Sequence, residues 1–173
     1  VVPVLELNPT GANCNGSPTG MISATLTQGG PATGFIWSGP TSGSSTDTLF
    51  TNLMPGTYTV TVTVASGLTA TSTTTVGQPA AISSSASVNN VSCNNGQDGS
   101  ITLLPAGGTP AYSYAWTGPG YSNTTSNATI TGLSAGAYTV TITDTRGCTY
   151  VSSPAINVTA PNPIQIAMSL VTI

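Results

Sequence analysis

One ten-residue run constrains this chain more than anything else in it, because it occurs twice. Leu53-Met-Pro-Gly-Thr-Tyr-Thr-Val-Thr-Val62 returns as Leu133-Ser-Ala-Gly-Ala-Tyr-Thr-Val-Thr-Ile142. After the glycine, apolar residues and threonines alternate, so each run reads as a strand with one buried and one wetted face. A Leu-x-x-Gly-x-Tyr run leading into such a strand fits a tyrosine corner, in which glycine permits the bend and the phenol hydroxyl bonds back to upstream backbone. Tyr58 and Tyr138 are therefore read as structural residues.

The duplication extends along the chain. Cys93 follows Cys14, and Trp116 follows Trp37, by the same 79 positions, and Gly136 follows Gly56 by 80. The predicted order in the first copy is an edge strand over 1–7, strands over 21–27 and 33–37, a polar loop over 38–46, a short strand over 47–50, and a hairpin of 57–64 with 69–76. The second copy repeats it at 81–88, 100–104, 112–116, a polar loop, 127–130, 137–143 and one long closing strand over 149–158. Trp37 and Trp116 fall where an immunoglobulin-like core places its tryptophan. The fold class is thus all-β: two tandem immunoglobulin-like β-sandwich domains, 1–78 and 79–161, and an orphan C-terminal strand within 162–173. That last piece alternates at Ile164, Ile166, Met168 and Leu170 and matches the strand that opens the second copy. It either begins a further repeat or is donated to a neighbouring subunit. The chain is read as a piece of something longer.

Charge decides which functions are open. Glu6, Asp47, Asp98, Asp144 and Arg146 are the only ionisable residues of the Asp, Glu, Lys, Arg and His classes in 173 residues. One arginine cannot neutralise phosphates or seat an amphipathic helix on a membrane, so nucleic acid and membrane insertion are excluded as partners. With no histidine or lysine to act as base, and carboxylates scattered over both copies, no active site assembles; no enzyme activity, cofactor or metal site is expected. Solubility must rest on hydroxyls and amides, a surface that suits extracellular arrays and lateral association. Tyr121, in a polar loop, is the best exposed ring for stacking a surface glycan.

Three cysteines point to an oxidising location. Cys93 and Cys148 flank the second copy, on strands that lie close in such sandwiches, and a Cys93–Cys148 disulfide is expected. In the first copy Leu68 stands where Cys148 would, so Cys14 is left as a lone thiol or an intermolecular one. Arg146, the only site for trypsin, sits in a tight turn beside Cys148 and should resist cleavage.

As a set, Cys93-Asn-Asn-Gly-Gln-Asp-Gly-Ser-Ile101, Gly107-Gly-Thr-Pro-Ala-Tyr-Ser-Tyr-Ala-Trp116, the second ten-residue run with Thr143 and Asp144, and Gly147-Cys148 resemble the SprB-type repeats of large Bacteroidota surface proteins. The first copy is similar but departs from the pattern at Val64-Ala-Ser-Gly-Leu68. The resemblance implies a long, secreted, cell-surface array acting as an adhesin of gliding cells or a related filament, exported by the type IX system, with neighbouring repeats or identical subunits as partners. Asp47-Thr48-Leu49 is similar to an O-glycosylation triplet of that phylum, which marks Thr48.

Overall fold

The structure, a computed structural model, describes residues 1–166. It is all-β, with fifteen strands and no helix among the described residues. Two compact units form. Unit 1 holds Val1–Ala81 and takes in two turns of the second repeat, Gly107–Thr109 and Arg146–Cys148; unit 2 holds Ile82–Ala106, Pro110–Thr145 and the chain from Thr149 onward.

Unit 1 is a seven-stranded sandwich. One sheet has the order β1 (Val4–Thr10), β2 (Gly20–Gln28), β5 (Leu49–Leu53), and the other β4 (Gly43–Ser45), β3 (Ala32–Ser38), β6 (Gly56–Val64), β7 (Thr69–Val76). All pairings are antiparallel. The alternation that defines β6 is fully expressed: Tyr58, Val60, Val62 and Val64 are buried, and the threonines between them face outward. Tyr58, Val60 and Val62 pack with Leu5, Ile22, Ala24, Phe35, Phe50, Leu53 and Val76 as the core between the sheets. A β-branched residue on each pleat suits a half-buried strand, and each such side chain removed from water contributes roughly 1.5–3 kcal/mol.

On the wetted face of β6 and β7, threonine stands opposite threonine. Hydroxyls meet at Thr57–Thr75, Thr59–Thr73 and Thr61–Thr71, at 3.0–3.4 Å. Cross-strand pairs of this kind hold register without charge, which is how a chain with so few ions still presents a polar surface.

Unit 2 repeats the strand order. Its sheets are β8 (Ser83–Asn89), β9 (Gly99–Ala106), β12 (Thr129–Leu133), and β11 (Tyr121–Thr125), β10 (Tyr112–Gly118), β13 (Gly136–Asp144), β14 (Thr149–Val151), with β15 (Ile156–Val158) also on β13. Ile101, Leu103, Tyr114, Trp116, Ile130, Leu133, Tyr138, Val140 and Ile142 are buried. In both units the first, second and fifth strands face the third, fourth, sixth and seventh, which is the immunoglobulin-like arrangement.

The fold departs from the sequence expectations at three places. The polar loops after Trp37 and Trp116 contain the edge strands β4 and β11, whose Gly-Ser-Ser and Tyr-Ser-Asn-Thr-Thr sequences show no apolar alternation because backbone pairing to one neighbour is what forms them. The single closing strand expected over 149–158 is two, β14 on Thr141–Thr143 and β15 on Gly136–Tyr138. Pro154 has no N–H to continue the ladder. Ser152 fills the gap instead, its N–H donating to the Val140 carbonyl at 2.9 Å and its hydroxyl accepting from the Val140 N–H at 3.0 Å. Lastly, Trp116 is buried but Trp37 is only half-buried: its ring stacks on Phe50, centroids 4.5 Å apart, and lies over Gly43, where an added Cβ would come within 2.4 Å of it.

At the chain end, Ile164 and Ile166 are 92% and 83% exposed and lie in no strand. Met168 and Leu170 lie outside the described residues.

Candidate functional site: a turn locked by a disulfide

The chain just before β6 and β13 bends sharply at Gly56 and Gly136, whose φ angles of 142° and 151° disfavour any side chain. A Cβ there would also strike Pro40 and Pro119, at 2.5 and 2.4 Å. The bend turns the next side chains inward, and the Tyr58 hydroxyl donates to the Met54 carbonyl at 2.9 Å as the Tyr138 hydroxyl does to that of Ser134. Both rings are fully buried, and burial pushes the Tyr138 phenol above its ordinary range. Gly39 and Gly118, each followed by one of those prolines, leave room for the rings, since a Cβ would sit 2.7 Å from Tyr58 and 2.2 Å from Tyr138. The recurring Gly-Pro after each tryptophan was the available sequence signal for that seat.

The tyrosine corners mark one end of each unit, and the turns of Cys14 and Cys93 lie at that same end. In unit 1, Ser17 N–H donates to the Cys14 carbonyl at 3.2 Å, Cys14 N–H to the Ser17 hydroxyl at 3.3 Å, and Asn13 N–H to the Thr19 hydroxyl at 2.8 Å. The chain leaving β7 is tied to this turn: Ala12 N–H donates to the Gly77 carbonyl, Gly16 N–H to the Gln78 side-chain oxygen, and the Asn15 amide to the Pro79 carbonyl at 3.1 Å. Within the same unit, Cys14 is bonded to Cys148, with Cα atoms 5.6 Å apart and 134 residues of separation. The Arg146–Cys148 turn falls in unit 1.

The expected Cys93–Cys148 disulfide is therefore overturned, and so is the expectation that Cys14 has no partner in its own chain. Cys93 is a free, exposed thiol. The physical reason is strand direction. Cys93's turn lies where β13 begins, with Asn94–Gln97 beside Ser134 and Ala135, while Cys148 follows where β13 ends. Nine extended residues separate those ends by about 30 Å, whereas a disulfide needs Cα atoms within about 7 Å. First and last strands are indeed neighbours, but the two cysteines sit at opposite ends of them.

The free turn is well formed. Asp98 accepts from the Ser92 hydroxyl at 2.5 Å and the Ser92 N–H at 3.0 Å, and these bonds hold its carboxyl below the ordinary value of 3.8. Thr48 is exposed on the bend between β4 and β5, its carbonyl accepting from Ala24 N–H at 2.7 Å. Tyr121 opens β11 and is half-buried. Among the described residues no three His, Cys, Asp or Glu side chains group as metal ligands, and no helix is long and apolar enough to cross a membrane.

The described geometry thus defines a class: tandem immunoglobulin-like β-sandwich repeats. Within it, residues 85–120, which carry Cys93, Asp98, Tyr114 and Trp116, match the family model described as SprB repeat. No curated protein matches the chain. Among solved structures, the crystal structure of murine CEACAM1b aligns over 90% of this chain and 100% of its own at 15% identity, with a TM-score of 0.38, too low to carry an inference.

Proposed function

We propose that this chain is a segment of a long extracellular adhesin or surface filament, in which sandwich repeats are strung in series to extend and present a surface. The observation that carries this reading is the SprB repeat match at 85–120, falling on one of two copies with the same strand order. SprB-type repeats resemble parts of cell-surface adhesins, and the near absence of charge suits repeats that pack beside one another. Gliding motility, type IX export and an O-linked sugar on the exposed Thr48 are the finer parts of the same proposal.

The work of such a segment is mechanical. Load applied at the two ends of the chain passes from Cys14 to Cys148 through the sulfur atoms, so the 134-residue span between them is spared extension. The tyrosine corners, threonine ladders and buried β6 and β13 then stabilise what the bond already shields.

Antibodies raised against the chain test the location. They should label intact, unpermeabilised cells of the producing organism, and brief protease treatment of those cells should strip the label. Labelling that appears only after permeabilisation would end the proposal.

The exposure of Ile164 and Ile166 favours one second reading, a subunit that polymerises by donating the strand 164–173. Deleting 164–173 separates the two: a donor loses concentration-dependent assembly, and an array segment stays folded and unchanged in mass distribution.

A further inference from the structure

Cys14 and Cys93 occupy the same turn of the two repeats, and two bonds that tie each turn to the outgoing chain correspond. Ala12 N–H donates to the Gly77 carbonyl at 2.8 Å, and Val91 N–H to the Thr159 carbonyl at 3.1 Å. The Asn15 amide reaches the Pro79 carbonyl at 3.1 Å, and the Asn94 amide the Pro161 carbonyl at 3.2 Å. In each unit, then, the cysteine turn grips the chain leaving that repeat, through the residue next to the cysteine. Past each grip the sequence runs the same way: Pro79 leads to Ile82, and Pro161 to Ile164.

The repeat that begins past Pro79 supplies Cys148, from its closing hairpin, to Cys14. We infer that Cys93 is the matching acceptor for the next repeat: it takes a disulfide from the cysteine that, in a following copy, stands where Cys148 stands in this one. The bond runs from the first turn of one repeat to the last hairpin of the next, never within a repeat. The about 30 Å between the two ends of β13 forbids the internal pairing. Leu68, at the Cys148 position of repeat 1, fits the same rule, because Cys14 has its partner without it.

The chemistry balances with a disulfide of the glutathione class as oxidant. The Cys93 thiolate attacks oxidised glutathione and expels one glutathione thiolate; the second cysteine's thiolate then attacks the mixed disulfide and expels the other. Two thiol protons and two electrons leave the protein, and one S–S bond is gained.

The inference rests on the array reading, and its test is independent of any adhesive role. Ile173 falls at the position matching Val91, so a copy of residues 92–163 appended directly after Ile173 completes a third repeat on the full chain. The extended chain holds five cysteines, the three present and two added. After oxidation in a glutathione redox buffer, peptide mapping without reductant should find Cys14–Cys148 retained, Cys93 bonded to the appended copy's Cys148, and one free thiol, the appended copy's Cys93. Cys93→Ser in the same chain should leave both appended cysteines free. Cys93 fully open to alkylation while Cys14–Cys148 is intact, or the two appended cysteines bonded to each other, would overturn the pairing rule. Cell labelling that fails while the bond forms would sink the adhesin proposal and leave the rule standing.

Discussion

The turn that holds Cys14 and the turn that holds Cys93 are built alike and end in different covalent states. One is bonded across 134 residues, the other carries an exposed thiol. Since local geometry is shared, the difference comes from outside the turn: whether a closing hairpin with a cysteine is delivered to it. The hairpins differ in the same sense. Val64-Ala-Ser-Gly-Leu68 connects two unbroken strands, and Asp144-Thr-Arg-Gly-Cys148 leads into a strand interrupted at Pro154. Repeats that look equivalent by strand order are thus unequal in what they give and what they receive.

The sharpest way to break this comparison uses the one tryptic site. Cutting after Arg146 leaves fragments of 1–146 and 147–173, which only a disulfide to Cys148 can hold together. Once nicked, the Cys93→Ser chain should run as one species without reductant, and the Cys14→Ser chain should separate completely. The reverse pattern would restore the within-repeat bond. In thermal or denaturant unfolding, Cys148→Ser should cost roughly 5 kcal/mol, the loop-closure entropy of so long a span in the chain-entropy model.

The two tryptophans come next in size. Trp116→Ala empties a fully buried site and should cost about 3–5 kcal/mol, while Trp37→Ala, half-buried over Gly43, should cost about half as much. Equal losses would mean that both rings fill their cores alike. Removing one hydroxyl by Tyr58→Phe or Tyr138→Phe leaves a carbonyl, of Met54 or Ser134, without its donor and should cost roughly 1–2 kcal/mol in denaturant titrations.

The smallest effect concerns the free turn alone. Its Asp98 carboxyl is held below 3.8 by Ser92, so the contribution of that contact is present above the unfolded carboxyl value and is lost as pH falls through the lowered folded one. The Ser92 amide resonance should therefore shift at acid pH in step with Asp98, and Asp98→Asn should abolish that titration. Repeat 1 has no carboxylate at the matching position and should show no such step.

The sheets were legible in the sequence wherever one face is buried. Tyr58, Val60 and Val62, and their counterparts at 138, 140 and 142, alternate too regularly to be anything but strands over a core. Strands β4 and β11 were not legible, because an edge strand made by backbone pairing leaves no apolar rhythm in Gly-Ser-Ser. The split at Pro154 had a signal, a proline inside a presumed strand, that the alternation around it masked. Cysteine pairing failed for a different reason. Neighbouring strands can be inferred from a repeat, but which end of a strand a residue occupies relative to a partner 134 positions away depends on the sum of every turn between them.

The most direct test of the central claim is to stretch single molecules held by their two termini. With Cys14 bonded to Cys148, only the 39 residues left when 134 are taken from 173 can extend. Total lengthening should then stop at ~140 Å, and a reductant should release a further ~480 Å, at about 3.6 Å per residue. Full extension in oxidising buffer, with no added length on reduction, would contradict the account.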